Sequence, residues 1–271
     1  MAHLTAWRLG RAIIGRYILR MTERLPELPE NWERCLAVVA HPDDIEYGAA
    51  SAVARWTAQG KQVTYLLATR GEAGIDGVPP DKSAPLREAE ERAGAREVGV
   101  EIVDFLDYPD GIIEYGTSLR RDIVRSIRRH RPEVIVSGDF AVRGIYGMTN
   151  QADHRAVGLA TLDAARDAGN RWIFPELAGE GLEPWGGVRY ACFVGAAQPT
   201  HGVDITGEPL RRGIASLAAH AEYTKGLGAD GPDPGPFLTW AAQDAGPALG
   251  VEAAVLFDVH SLTFEGPPPW L

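Results

Sequence analysis

Apolar residues in this chain gather into short unbroken runs separated by stretches of helical period. Cys35-Leu-Ala-Val-Val-Ala40 is continuous and apolar, which suits a strand covered on both faces. After it, Ile45, Gly48, Ala49, Ala52, Val53 and Trp56 recur at helical spacing as one stripe, and Gly60 is placed to stop the helix. Gln62-Val-Thr-Tyr-Leu-Leu-Ala68 reads as a second buried strand, so the three pieces form a βαβ unit. The alternation continues with a charged amphipathic helix over 86–98, a strand over 102–106, an arginine-rich helix over 119–130 and a strand over 134–136. This predicts an α/β fold, a Rossmann-like three-layer α/β/α domain with a mainly parallel sheet. Beyond about residue 170 the chain becomes irregular and rich in Pro and Gly. Strands are expected there over 188–194 and 254–259, with helices over 210–223 and, more weakly patterned, 237–245.

A chain of 271 residues with 45% hydrophobic content can bury one large core. Residues 31–271 are therefore read as a single domain with a C-terminal elaboration. Residues 1–30 differ: Arg8, Arg11, Arg16, Arg20 and Arg24 alternate with Trp7, Ile13, Ile14, Tyr17, Ile18 and Met21, as in a basic amphipathic helical extension. The arginines interrupt every apolar core, which excludes a signal peptide or spanning helix. Packing on its own domain or on a neighbouring copy in a homo-oligomer is expected ahead of docking on a membrane surface. A net charge of −10 argues against nucleic-acid affinity, which needs clustered positive charge. The arginines of 120–131 read as a solvated helix face. Only Cys35 and Cys192 are present, so no disulfide framework is implied and a reducing cytoplasm is compatible.

The chemistry concentrates in Ala40-His-Pro-Asp-Asp-Ile-Glu46, an imidazole and carboxylates between a strand's carboxyl end and a helix. Ligand sites of open parallel sheets collect at that edge, and His with carboxylate suits a catalytic divalent metal with an open position. The reading is a metal-dependent hydrolase. An acidic helix cap accounts for one Asp through the helix dipole but leaves the histidine without a reason. A further donor is offered by Thr149-Asn-Gln-Ala-Asp-His154, where His154 would stand in the first turn of the helix after the fourth strand. No Gly-x-Gly-x-x-Gly or Walker-type loop follows either of the first two strands, which disfavours a nucleotide-binding domain.

Over roughly residues 33–225 the chain resembles the PIG-L or LmbE-like zinc-dependent de-N-acetylases. The likeness is carried by His41-Pro-Asp-Asp44 with Glu46, supported by Thr69-Arg-Gly-Glu72, Arg87-Glu-Ala-Glu90, Tyr108-Pro-Asp-Gly111 and Asp153-His154. The resemblance implies that His41, Asp44 and His154 bind zinc, with Asp43 as general base. It also implies that Arg87 and Asp110 lie near the sugar, and that the substrate is a small N-acetylated glycoside handled in a bacterial-type cytoplasmic pathway. Ferrous iron also suits a two-His, one-carboxylate site. Glu46 is a candidate to orient His41 through its free ring nitrogen.

One departure stands out. The family commonly has a histidine three residues before the last metal ligand, where this chain has Gln151. An amide can donate a hydrogen bond to an oxyanion but cannot deliver a proton at neutral pH. The acid is then Asp43 itself after taking the water's proton, or His220, His201 or Tyr146 entering the site. The expected pocket rim is 71–85, 141–150 and 171–176, with Trp172 and Phe174 as candidate stacking surfaces. The resulting expectation is zinc-dependent removal of acetyl from an amino sugar; the alternative is a relative that binds zinc and sugar with little turnover.

Overall fold

In the computed structural model, which describes residues 24–228 and 233–263, strand β1 (Arg34–Val39) is covered on both faces. Cys35, Ala37 and Val39 point into one core, and Leu36 and Val38 into the other. The continuous apolar run is what two buried faces require. The chain continues through α1 (Asp44–Gly48), α2 (Ala50–Ala58), β2 (Gln62–Leu67), α3 (Pro80–Glu97), β3 (Ile102–Phe105), α4 (Thr117–His130), β4 (Val134–Gly138) and α5 (Ala152–Asp167). Then come α6 (Glu176–Gly179), β5 (Tyr190–Val194), β6 (His201–Asp204), α7 (Glu208–Ala218), α8 (Ala221–Gly226), α9 (Pro234–Leu249) and β7 (Ala254–Ser261). The strands form one sheet in the order β3-β2-β1-β4-β5-β7-β6. Neighbours from β3 to β5 pair in parallel, and β7 runs antiparallel to both β5 and β6. The α/β class and mainly parallel sheet are as the alternation predicts.

The strand order reverses beside β1. After β1 the chain moves outward to β2 and β3, then returns to place β4 on β1's other side. The crevice between the carboxyl ends of β1 and β4 is therefore a topological switch point, where open α/β sheets bind ligands.

Several elements differ from the sequence reading. The stripe after β1 is interrupted at Ala49, between α1 and α2. The helix expected over 86–98 begins at Pro80, because a proline is tolerated in a first turn, where its missing N–H would have no partner. Pro234 starts α9 in the same way, ahead of the expected 237. The expected helix over 210–223 is two helices, α7 and α8. Glu90 from α3 supplies the reason, since its carboxylate accepts the N–H groups of Glu222 at 2.6 Å and Tyr223 at 3.4 Å and so satisfies donors that a new helix start leaves free. Strand β6 was not anticipated. On α4, Arg128 is not solvated: it is buried and donates to the carbonyls of Ala168, Asn170, Ile173 and Phe174. The amphipathic pattern of residues 1–30 lies outside the described residues except for 24–30. That stretch runs extended, bridges Glu27 to Gly202, and buries Leu28.

Candidate active site

The segment leaving β1 floors the crevice. Asp43 holds a left-handed backbone at φ 95, which costs free energy for a residue with a Cβ. Its N–H donates to Glu91 Oε2 at 3.2 Å, and its Oδ1 accepts from Arg87 Nη2 at 3.0 Å. Arg87 also donates to the Pro42 carbonyl and lies 3.6 Å from the Tyr223 ring centroid. Gly71, at φ 63, leaves room for that guanidinium, since a Cβ there would stand 2.9 Å from Arg87 Cζ. The left-handed turn also parts the two adjacent carboxylates. Asp43 faces Arg87, while Asp44 lies between two imidazoles.

Asp44 Oδ2 is 3.6 Å from His41 Nδ1, and Oδ1 is 3.0 Å from His154 Nε2. The other nitrogen of each ring is already engaged. His41 Nε2 meets Asp110 Oδ1 at 3.0 Å and Asp153 Oδ2 at 3.3 Å, and His154 Nδ1 meets Asn150 Oδ1 at 3.2 Å. These carboxylates are themselves fixed. Asp110 accepts the Ala73 N–H at 2.8 Å, and Asp153 accepts those of Gly111 at 2.7 Å and Ile113 at 3.0 Å. Glu72 holds the Asp110 N–H at 2.9 Å, so the loops after β2 and β3 lock onto each other beneath the histidine.

His41, Asp44 and His154 each offer a ligand atom within 4.8 Å of the other two. Two imidazole nitrogens with a carboxylate, each ring anchored through its other nitrogen, fit a divalent transition metal. Asp110 and Asp153 also group with His41, but on the opposite side of its ring, where they orient it. Glu46, the residue expected to do this, faces away. It forms a third, fully buried group with Glu91 and His220, whose Nε2 lies 3.8 Å from each carboxylate.

Protonation follows from these contacts. Burial would lower the His41 pKa, but the hydrogen bonds its ring donates to Asp110, Asp153 and Asp44 push it up to about 12. Burial would raise Asp44, yet His154 and His41 hold it well below the usual carboxylate range. For Asp43 burial prevails over the Arg87 charge, and the carboxyl is pushed up to about 7.

A cavity of about 820 Å³ opens over these groups. His41, Asp43, Asp44, Arg87, Asp110, Gln151 and His154 line it, as do parts of 73–74 and 144–151. His220, with no exposed surface, does not line it and sits behind Asp43. The expected rim at 171–176 is also absent from it. Trp172 is 81% exposed elsewhere, and Phe174 packs against the core beside α4 and α5. The aromatic lining comes instead from Tyr47, Tyr146, Tyr223, Phe237 and Trp240. Sequence reasoning gave no role to Asp153 and Asn150, although both lie inside the motif ending in His154, or to Glu91, one residue beyond the quoted Arg87-Glu-Ala-Glu90.

The family model for PIG-L, GlcNAc-PI de-N-acetylase, matches residues 36–165. Over those residues the chain is similar to the PIG-L family. Among its relatives, a diacetylchitobiose deacetylase of Thermococcus kodakarensis is 31% identical over 51% of this chain and 51% of its own length. A 1D-myo-inositol 2-acetamido-2-deoxy-alpha-D-glucopyranoside deacetylase of Geodermatophilus obscurus is 29% identical over 86% of this chain and 84% of its own. The solved N,N'-diacetylchitobiose deacetylase of Pyrococcus horikoshii shares the fold, with a TM-score of 0.77 at 22% identity, covering 89% of this chain and 88% of that one. The PIG-L match contains both segments of the candidate metal site, 41–46 and 150–154, whereas the α9 wall of the cavity lies beyond it.

Proposed function

We propose that this protein is a metal-dependent N-deacetylase that hydrolyses the acetamide of an amino sugar, with zinc or ferrous iron held by His41, Asp44 and His154. The observation that carries the reading is the convergence of His41, Asp44 and His154 beside the Asp43 carboxyl at the floor of the switch-point crevice. The bound metal would lower the pKa of a water molecule and polarise the amide oxygen. Asp43, poised near neutrality by its burial, takes the proton of the attacking water. It then returns that proton to the nitrogen as the C–N bond breaks, giving acetate and a free amine. This route needs no histidine at position 151. The Gln151 amide, exposed at the cavity edge, donates to the developing oxyanion. We assign Asp110 to holding His41, because one of its oxygens meets His41 Nε2 and the other accepts the Ala73 N–H; Arg87 holds Asp43 through Nη2 alone, while its buried Nε has no partner and the side chain lines the cavity. His220 supports the floor from behind.

Cys35 and Cys192 are both buried free thiols, in keeping with the reducing cytoplasm this reading assumes. Among the described residues no helix is long and apolar enough to cross a membrane. The test is acetate release from a panel of N-acetylglucosaminides by metal-stripped protein before and after reloading with zinc or ferrous iron. Release that returns with metal supports the enzyme. Stoichiometric metal binding with no release across the panel would favour a sugar-binding relative.

A further inference from the structure

The wall of the cavity opposite its acidic floor is apolar. One face of α9 turns inward with Phe237, Trp240, Ala241 and Ala245, and Val194 and Leu256 of the sheet also line this part. The rings of Tyr47, Phe237, Trp240 and Tyr146 follow one another with centroids 5.7, 6.3 and 5.4 Å apart. The series starts at Tyr47 of α1, which lines the same cavity as Asp43. It ends at the mouth, where Trp240 is 51% and Tyr146 56% exposed. Tyr146 is held there by construction. Its backbone is left-handed at φ 60, and its hydroxyl donates to Asp244 of α9 at 2.9 Å.

A lone acetamido sugar accounts for little of this. Its hydroxyls need polar partners, and four rings with aliphatic neighbours supply few. The volume of about 820 Å³ lies high in the range of about 300–1,000 Å³ typical of drug-sized ligands. Half-exposed aromatic rings in a row at a pocket mouth suit a flat apolar group that stacks and extends toward solvent. A long N-acyl chain would instead call for an enclosed tunnel.

We propose that the amino sugar deacetylated here carries an aromatic aglycone, which stacks along Tyr47, Phe237, Trp240 and Tyr146. The proposal rests on the deacetylase reading and narrows its substrate class. The test compares kcat/KM for N-acetylglucosamine, diacetylchitobiose, the naphthyl glycoside of N-acetylglucosamine, and N-octanoylglucosamine. The naphthyl glycoside is expected to exceed N-acetylglucosamine roughly tenfold to a hundredfold, mainly through KM. Trp240→Ala and Tyr146→Ala, at half-exposed positions, are each expected to bring that ratio toward one. Equal rates for sugar and naphthyl glycoside would overturn the proposal while leaving the deacetylase standing, as would a preference for the octanoyl amide. Should no substrate release acid, the deacetylase reading fails, and calorimetry of naphthyl glucosaminide binding to the metal-stripped protein decides the wall separately. Tighter binding to wild type than to Trp240→Ala supports the aromatic site, and equal binding overturns it.

Discussion

Two carboxylates, Asp110 and Asp153, press on the same nitrogen of His41, and their effect should be measurable on the metal. Asp110→Asn is expected to weaken metal affinity about 10–100-fold, read by competition with a chelator. The same contacts keep the metal-free imidazole protonated, since its pKa is pushed up to about 12. A metal must then displace a proton from Nδ1. Affinity should rise with pH through the neutral range, by about tenfold per unit for each proton released. Calorimetry in buffers of differing ionisation heat would count those protons, and a flat profile would contradict the assignment. Asp43→Asn keeps an acceptor for Arg87 and a side chain that tolerates left-handed backbone but removes the base. It is expected to lower kcat about 10²–10⁴-fold with metal content unchanged. The placement of His41, Asp43 and Asp44 in the crevice was legible because a buried strand followed by His-Pro-Asp-Asp leaves few positions for those side chains, and that of His154 because it opens the helix after the fourth strand. The partner of His41 was not. Glu46 is the nearer carboxylate in sequence, but α1 carries it to the far side of the floor, and the loop after β3 delivers Asp110 instead.

Among the elements, the join between α7 and α8 depends on a side chain from a third helix. The Glu90 carboxylate caps α8, and α8 carries the Tyr223 ring that covers Arg87. Glu90→Ala is expected to cost about 1 kcal/mol, as the loss of a helix cap does, measured by urea unfolding. Periodicity alone could not locate that join, because the apolar pattern runs through it and the interrupting contact comes from residue 90. Prolines misled in the other direction. Pro79 and Pro80, and likewise Pro234 and Pro236, read as loop, yet each pair lies at a helix's start or in its first turn, where a missing N–H costs little. Strand β6 is four residues long and contains Gly202, too short for alternation to register. Strands β1, β2, β4 and β5 were readable because each is a run buried on both faces, and the edge strand β3 because it falls between two helices of clear pattern.

At the scale of the whole molecule, the candidate metal donors come from the chain leaving β1 and from the first turn of α5, segments separated by more than a hundred residues and joined at the switch point. Metal bound in excess, at about a thousand times its dissociation constant, should stabilise the folded state by about 4 kcal/mol. The thermal midpoint should then rise by several degrees or more, and by less in Asp110→Asn at the same metal concentration. Scanning calorimetry with and without metal checks both. The position of β7 sets an order of assembly. It is the last strand along the chain, yet it lies between β5 and β6, so the outer edge of β5 stays unpaired until residues 254–261 arrive. Chains emerge from the ribosome amino end first. Segments 41–46 and 150–154 can therefore come together while α9 and β7 are still being made. A nascent chain would own its metal centre before it owned the wall that chooses a substrate.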